Sequence, residues 1–424
     1  HVDPHIGKIV KDEGECLYEW DSNNSHAGKY ITRVTDQKNL DASNELFAHL
    51  VEEAHKRGIR VIIDGVFNHC GSFNKWIDRE LIYRDAKGYE KGAYVSARSP
   101  YRNFFKFEND NDYCASYEGW WGYDTLPKLN YEGSKELYDY IMRIGSKWVS
   151  EPYNVDGWRL DVAADLGHSK EVNHQFWRDF RNSVKKANPE AIILAEHYGD
   201  PSGWLSGGQW DSIMNYDAFM EPVSWFLTGV DKHSDEVKKE LKGDGNCFAK
   251  TMEYNMAKMQ SQSILVSMNQ LSNHDHSRFL TRTNGKCGRL NKDGKEGAEN
   301  GVSIPIMKEA IVMQMTWPGA PTLYYVDEAG VCGWTDPDNR RVYPWGHENL
   351  ELLEFYRYAI HIHRHNEALR DGALKMLSYG DDFVSYGRFT EDSKVIVIIN
   401  NSLANMELDI PVWNIDIKND DITK

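Results

Sequence analysis

The strongest constraint on this chain is an alternation. Short apolar runs of β type recur between stretches whose apolar residues fall at helical spacing. Gly58–Phe67 (GIRVIIDGVF) reads as a buried strand, preceded by a helix near Asn44–Lys56. Leu137, Ile141, Ile144 and Trp148 mark a helix over about Ser134–Val149, and a short strand ends at Asp161. A helix over about Val172–Ala187 is stopped by Asn188-Pro189, and Ala191–Glu196 (AIILAE) is again a strand. Asp211–Tyr216 is a weaker strand, Ile264–Ser272 and Ala320–Tyr325 are strand-like, and helices fall near Ile306–Thr316 and Asn349–His365. From Ala373 onward short β segments dominate, as in Val384–Phe389 and Lys394–Ile399. Strands alternating with helices predict a parallel sheet. The absence of GxGxxG and GxxxxGK[ST] turns weighs against a doubly wound fold, and polar strand ends favour a (β/α)8 TIM barrel.

Those polar strand ends carry the functional signal, because barrel active sites are built at the C-terminal ends of the strands. Asp64, Asn68 and His69 follow the first visible strand, Arg159 and Asp161 end the next, and Glu196 ends AIILAE. His274 and Asp275 end the strand-like run from Ile264. Glycosidic cleavage needs one carboxylate at the anomeric carbon and one acid that protonates the leaving oxygen. Arg159 lies two residues before Asp161, so both point to one face of the strand, and the cation keeps Asp161 ionised as a nucleophile must be. Glu196 ends an apolar strand, where desolvation favours the protonated form that a general acid needs. A third acid can stabilise developing positive charge. Each residue alone also fits a cap, a turn or a structural histidine. Zinc ligation is a rival for the His and Asp residues, but HExxH is absent and His69 and His274 are far apart in sequence.

Composition narrows the partners. The chain has 424 residues, with 49 Lys and Arg against 65 Asp and Glu, a net charge of −16. That argues against nucleic acid or an anionic membrane as partner. Runs such as Val395–Ile399 fall far short of the roughly 18 apolar residues of a membrane span. Six cysteines without a CxxC pair do not read as a disulfide framework. The aromatic content, with 14 Trp, 23 Tyr and 15 Phe, excludes a disordered chain.

Five motifs, taken together, resemble the alpha-amylase family of glycoside hydrolases, in particular its neopullulanase, cyclomaltodextrinase and maltogenic amylase group. They are Asp64-Gly-Val-Phe-Asn68-His69, Gly157-Trp-Arg159-Leu-Asp161, Glu196 in AEHYGD, Asn273-His274-Asp275, and Leu126-Pro-Lys-Leu-Asn130. WWGYDTLPKLN, GWLSGGQWDSIMNYDAF, PGAPTLYYVDEAG and WTDPDNRR add to the similarity, in family order over essentially the whole chain. The resemblance implies a nucleophile at Asp161, a general acid/base at Glu196 and a transition-state stabiliser at Asp275. It implies that Arg159 holds the nucleophile and that His69 and His274 bind sugar hydroxyls at the cleavage site. Asp336 and Arg340 would contact the next sugar on the non-reducing side, and Tyr198 takes a leaving-group-side aromatic position. The implied reaction is retaining hydrolysis of α-1,4-glucosidic bonds in malto-oligosaccharides, cyclodextrins, pullulan or starch, through a covalent glycosyl-enzyme intermediate. The alternatives are a 4-alpha-glucanotransferase and a non-catalytic carbohydrate-binding relative. No cofactor is required, the expected partner is an α-glucan rather than nucleic acid or membrane, and a homodimer of the full-length protein is compatible with the group.

Three departures from the family pattern stand out. Val326 occupies a position usually held by Gly, so a side chain is expected to crowd a tight turn there. Asp165 stands where relatives often carry Glu, and where many alpha-amylases carry a calcium-linked His, so a structural calcium site is not supported, although Asn68 could still take part in one. The opening His1-Val2-Asp3-Pro4-His5 resembles the segment just after the family's second strand. The expected organisation is therefore a barrel lacking its first two strands, starting over 1–68, with an inserted loop domain over 69–125. The rest of the barrel follows over 126–370, and a partial C-terminal antiparallel β domain over 371–424. Such a remnant would expose sheet edges and is expected to be poorly soluble alone.

Overall fold

The computed structural model describes residues 33–109, 115–231 and 236–418. By packing, the chain divides into two compact units, His1–His197 with Ser206–Asp211, and Tyr198–Leu205 with Ser212–Lys424. The segment His1–His5 and most of the acidic tail lie outside the described residues.

The first unit alternates helix and strand as expected. Its order is α1 (Gln37–Lys56), β1 (Ile62–Gly65), α2 (Lys135–Trp148), β2 (Gly157–Leu160), α3 (Lys170–Ala187) and β3 (Ile192–Ala195). The three strands run parallel, with Asp64 beside Arg159 and Arg159 beside Leu194. Serine caps start the helices: the Ser134 hydroxyl accepts from Leu137 N–H and the Ser169 hydroxyl from Val172 N–H. Glu171 in the first turn of α3 and Lys185 and Lys186 in its last complement the helix dipole. Helix α1 begins seven residues before the expected Asn44, because Asp36 caps it through Lys38 N–H. Leu137, Ile141 and Trp148 of α2 and Phe176, Phe180 and Val184 of α3 are buried, each contributing about 1.5–3 kcal/mol. Gly145 lets the two helices meet, since a Cβ there would stand 2.7 Å from the Phe180 ring.

The second unit contains β4 (Ser212–Ile213), α4 (Glu221–Thr228), α5 (Gly245–Met256), β5 (Met268–Gln270), α6 (Ile304–Thr316), β6 (Ala320–Thr322) and α7 (Leu350–His365). An antiparallel sheet follows, β7 (Ala373–Gly380), β8 (Phe383–Phe389) and β9 (Lys394–Asn400), with β8 in the middle. Strands β5 and β6 are parallel, with Met268 beside Ala320. Phe248, Ile311, Met313, Trp317, Tyr386 and Val397 share one core, so the sheet is packed onto α5 and α6. The buried Arg388 guanidinium donates to the carbonyls of Thr316 and Gly372 and closes the C-terminal end of α6.

Helices α4 and α5 went unread in the sequence, and the strand before Asn273 was drawn too long. Pro222 to Thr228 of α4 are all buried, and a helix that is apolar on every side shows no periodicity. Helix α5 carries a readable cap, Asp244 accepting from Cys247 N–H. The strand expected over Ile264–Ser272 is confined to Met268–Gln270, because Ser261–Leu265 forms a helical turn closed by Ser267 Oγ donating to Ile264 O. Strands stand at the six positions read from the sequence, but no closure of a barrel is detected among the described residues. The observed class is mixed α/β with a C-terminal antiparallel sheet. No described helix is long and apolar enough to cross a membrane.

Candidate active site

The parallel register builds the site in the first unit. Asp64 and Arg159 lie side by side on β1 and β2, so their side chains share one face. Asp161 lies two residues beyond Arg159, and Glu196 two beyond Leu194, the partner of Arg159. The ladder extends to both acids, with Asp161 N–H bonded to Gly65 O and Glu196 N–H to Leu160 O. The two carboxylates thus occupy the next row of the same face.

One guanidinium joins them. Arg159 Nη1 lies 2.7 Å from Asp64 Oδ1 and 2.8 Å from Asp161 Oδ1, while Nη2 lies 2.8 Å from Glu196 Oε2. Burial opposes the charge on Arg159, but Glu196, Asp64 and Asp161 outweigh it and push the guanidinium's proton affinity above its ordinary value. The sequence paired Arg159 with Asp161 alone; the structure extends the cation to Glu196. Only 6% of the Glu196 side chain is exposed, yet its Oε2 also accepts from Val162 N–H at 3.0 Å. Burial penalises a charge on Glu196, whereas the Arg159 cation and the Val162 N–H favour it, so desolvation alone does not describe this carboxyl. Val162 makes its bond from a left-handed backbone with φ 36° and ψ 48°. A β-branched residue in that region is strained, and here the strain aims an N–H at the acid. Nothing in the residue type announced this role.

His69 is held where two of the sequence motifs meet. Leu129 N–H donates to Asn68 O and Cys70 N–H to Pro127 O, so the Asn68-His69 stretch lies against Leu126–Asn130. The imidazole stacks on Trp120 at 4.9 Å with 4° between the planes. Burial lowers its proton affinity, with the Asp161 charge acting in the opposite sense. Asn68 Nδ2 lies 3.2 Å from His69 Nδ1 and helps to orient the ring. Trp120 was not singled out in the sequence; the WWG doublet was its only signal. Its Nε1–H donates to Asp165 Oδ2 at 2.9 Å. The departure at Asp165 therefore serves the aromatic wall.

The remaining expected residues belong to the second unit. Asn273 Oδ1 accepts from the N–H groups of Asp275 and His276 and fixes the loop that carries His274 and Asp275. His274 Nε2 lies 3.5 Å from Asp275 Oδ2, whose side chain is 44% exposed. Tyr198 stacks on Tyr216 with centroids 3.9 Å apart and shares a 3.1 Å hydrogen bond with His276 Nε2. Asp336 and Arg340 are paired with each other. Val326 adopts φ 65° and is fully buried, so the turn keeps the glycine-type backbone that the sequence pattern anticipated, with a valine in place.

Comparison with known proteins follows the same lines. The family model described as Alpha amylase, catalytic domain matches residues 33–352. Neopullulanase 2 of Thermoactinomyces vulgaris is 35% identical over 84% of this chain and 54% of its own length. An amylopullulanase of Thermoanaerobacter thermohydrosulfuricus is 33% identical over 84% of this chain but only 25% of that protein. The chain thus spans about half of the first relative and a quarter of the second. Among solved structures, the debranching enzyme from Nostoc punctiforme superimposes with a TM-score of 0.74 at 28% identity, covering 94% of this chain and 76% of that one.

Proposed function

Because the chain belongs to the alpha-amylase catalytic-domain family, we propose that it hydrolyses α-1,4-glucosidic bonds in malto-oligosaccharides, cyclodextrins or pullulan with retention of configuration. The observation that carries this reading is the single Arg159 guanidinium bound to both Asp161 and Glu196. Two carboxyl groups held by one guanidinium are close neighbours, which supports the short ~5–5.5 Å separation of retaining enzymes as the reading to test.

The roles proposed for the residues are those that the family motifs imply. Asp161, held in place by Arg159, attacks the anomeric carbon. Glu196 delivers its proton to the departing glycosidic oxygen, and the bond to the leaving sugar breaks as the glycosyl–Asp161 ester forms. Water then attacks the same carbon, Glu196 takes up the water's proton, and Asp161 is released as a carboxylate. The proton on Glu196 is therefore restored each cycle. Asp275 stabilises the positive charge that develops on the sugar, and His69 and His274 hold its hydroxyls. Arg159 positions Asp161, and Tyr198, Asp336 and Arg340 bind flanking sugars.

Substitution tests the assignment. Asp161→Asn and Glu196→Gln should each lower kcat on maltoheptaose by about 10³-fold or more, since each removes one half of the acid and nucleophile pair. Near-normal turnover by either variant refutes the roles. A sugar acceptor can replace water at the second step, and transfer products from maltotriose in place of glucose and maltose would favour the glucanotransferase reading.

A further inference from the structure

Trp121 combines two features that a folded chain ordinarily avoids. Its side chain is 77% exposed, and its backbone sits in the left-handed region at φ 52°, ψ 23°. For a bulky aromatic residue that conformation is an outlier, and exposure forfeits the burial an indole ordinarily gains. The turn around it is nonetheless firmly bonded. Gly122 N–H donates to Gly119 O, Tyr123 N–H to Trp120 O, and Trp120 N–H to Leu126 O. The conformation is thus imposed by the loop and held.

The ring it presents is not isolated. Trp121 stacks on Trp120 with centroids 4.7 Å apart and 25° between planes, and Trp120 stacks in turn on His69. Three flat rings therefore run outward from a candidate sugar-binding histidine to an open indole. Beside them is an open cavity of about 300 Å³ lined by Glu118, Trp120, Trp121, Lys128 and Asp165. Its volume is at the lower end of the roughly 300–1,000 Å³ usual for small-molecule sites. Its wall pairs aromatic faces with two carboxylates and an ammonium. A pyranose ring has the complementary surface, with C–H groups on its face and hydroxyls around its rim.

We infer that Trp121 is a sugar-stacking platform, at which a glucose residue of the α-glucan lies on the indole while Glu118 and Lys128 bind its hydroxyls. The inference rests on the glycosidase reading for the identity of the sugar. Trp121 then sets chain-length preference: it reads a residue away from the scissile bond, and Asp165 acts on the sugar through its hold on Trp120.

The test measures binding without turnover. In the full chain carrying Glu196→Gln, calorimetry with maltose through maltoheptaose should show affinity rising with chain length. Trp121→Ala and Trp121→Gly should weaken maltoheptaose binding about 5- to 20-fold, the equivalent of ~1–2 kcal/mol, and change maltose binding less than twofold. Trp121→Tyr should restore most of the loss. Glycine accepts the left-handed backbone, so Trp121→Gly should melt no lower than the parent, which separates a lost platform from a damaged loop. Equal rise of affinity with chain length in parent and Trp121→Gly overturns the inference. So does a change of oligomeric state on Trp121→Gly with sugar affinity intact, which would make the indole a contact between two copies. Chain-length-dependent binding lost with Trp121, in a chain whose native form shows no hydrolysis, would support the platform and refute the catalytic reading alone.

Discussion

Arg159→Met removes the cation from the centre of the carboxylate cluster and keeps a side chain of comparable length. The arginine side chain is 13% exposed, Asp161 18% and Glu196 6%, so two of its three ion pairs are shielded from solvent. Its Asp64 partner is 53% exposed, and that pair is worth no more than about 1 kcal/mol. Leaving Asp161 and Glu196 buried beside one another without a cation should cost ~3–5 kcal/mol. Arg159→Lys keeps the charge but as one compact ammonium, which cannot meet both acids as two guanidinium nitrogens do, and should cost ~1.5–3 kcal/mol. Urea unfolding reads the cost, and pairing Arg159→Met with Glu196→Gln should reduce it by at least ~1 kcal/mol, because the neutral amide needs no counter-ion. A cost below about 1 kcal/mol refutes the claim that Arg159 holds the pair together.

Val326, fully buried at φ 65°, should invert the usual order of truncations. Val326→Gly should be more stable than Val326→Ala by ~1 kcal/mol, because both lose the packed methyl groups but only alanine keeps the left-handed penalty; urea midpoints in the opposite order would contradict this. Burial raises the Glu309 carboxyl from 4.5 to about 7. The folded chain therefore holds a proton that the unfolded chain has lost, and this group's contribution to stability declines between about pH 4.5 and 7. Glu309→Gln should accordingly raise Tm at pH 8 more than at pH 4.5, and an equal shift at both would show that the carboxyl does not titrate in that window. Burial also pushes the Cys332 thiol up to about 11, so thiol reagents at pH 8 should label it slowly in the native chain and rapidly in urea.

Much of the molecule was legible because its signals are local. The strands ending at Gly65, Leu160 and Ala195 are apolar runs with charged ends, and Ser134, Ser169 and Asn349 are caps that sit next to the helices they start. Arg159 and Asp161 share a face by simple alternation, and the structure keeps that pairing. What escaped depends on neighbours far away in sequence. The link from Arg159 to Glu196 follows from the register of β2 against β3, which the strand sequences do not state. Val162 became a donor to Glu196 through its backbone, which residue identity does not report. Trp120 came to face His69 through pairing of the 126–130 segment with 68–70 across a long irregular connection. Helix α4 was invisible because burial on all sides erases amphipathic spacing.

The central claim is that Asp161 and Glu196, bridged by Arg159, cleave an α-glucosidic bond by double displacement. Proton NMR of the new reducing end released from maltotriitol, which has no reducing end of its own, recorded before mutarotation, tests it directly. The α-anomer should appear first and then relax toward the equilibrium mixture. First appearance of the β-anomer would contradict the claim, because a single displacement inverts the configuration at the anomeric carbon.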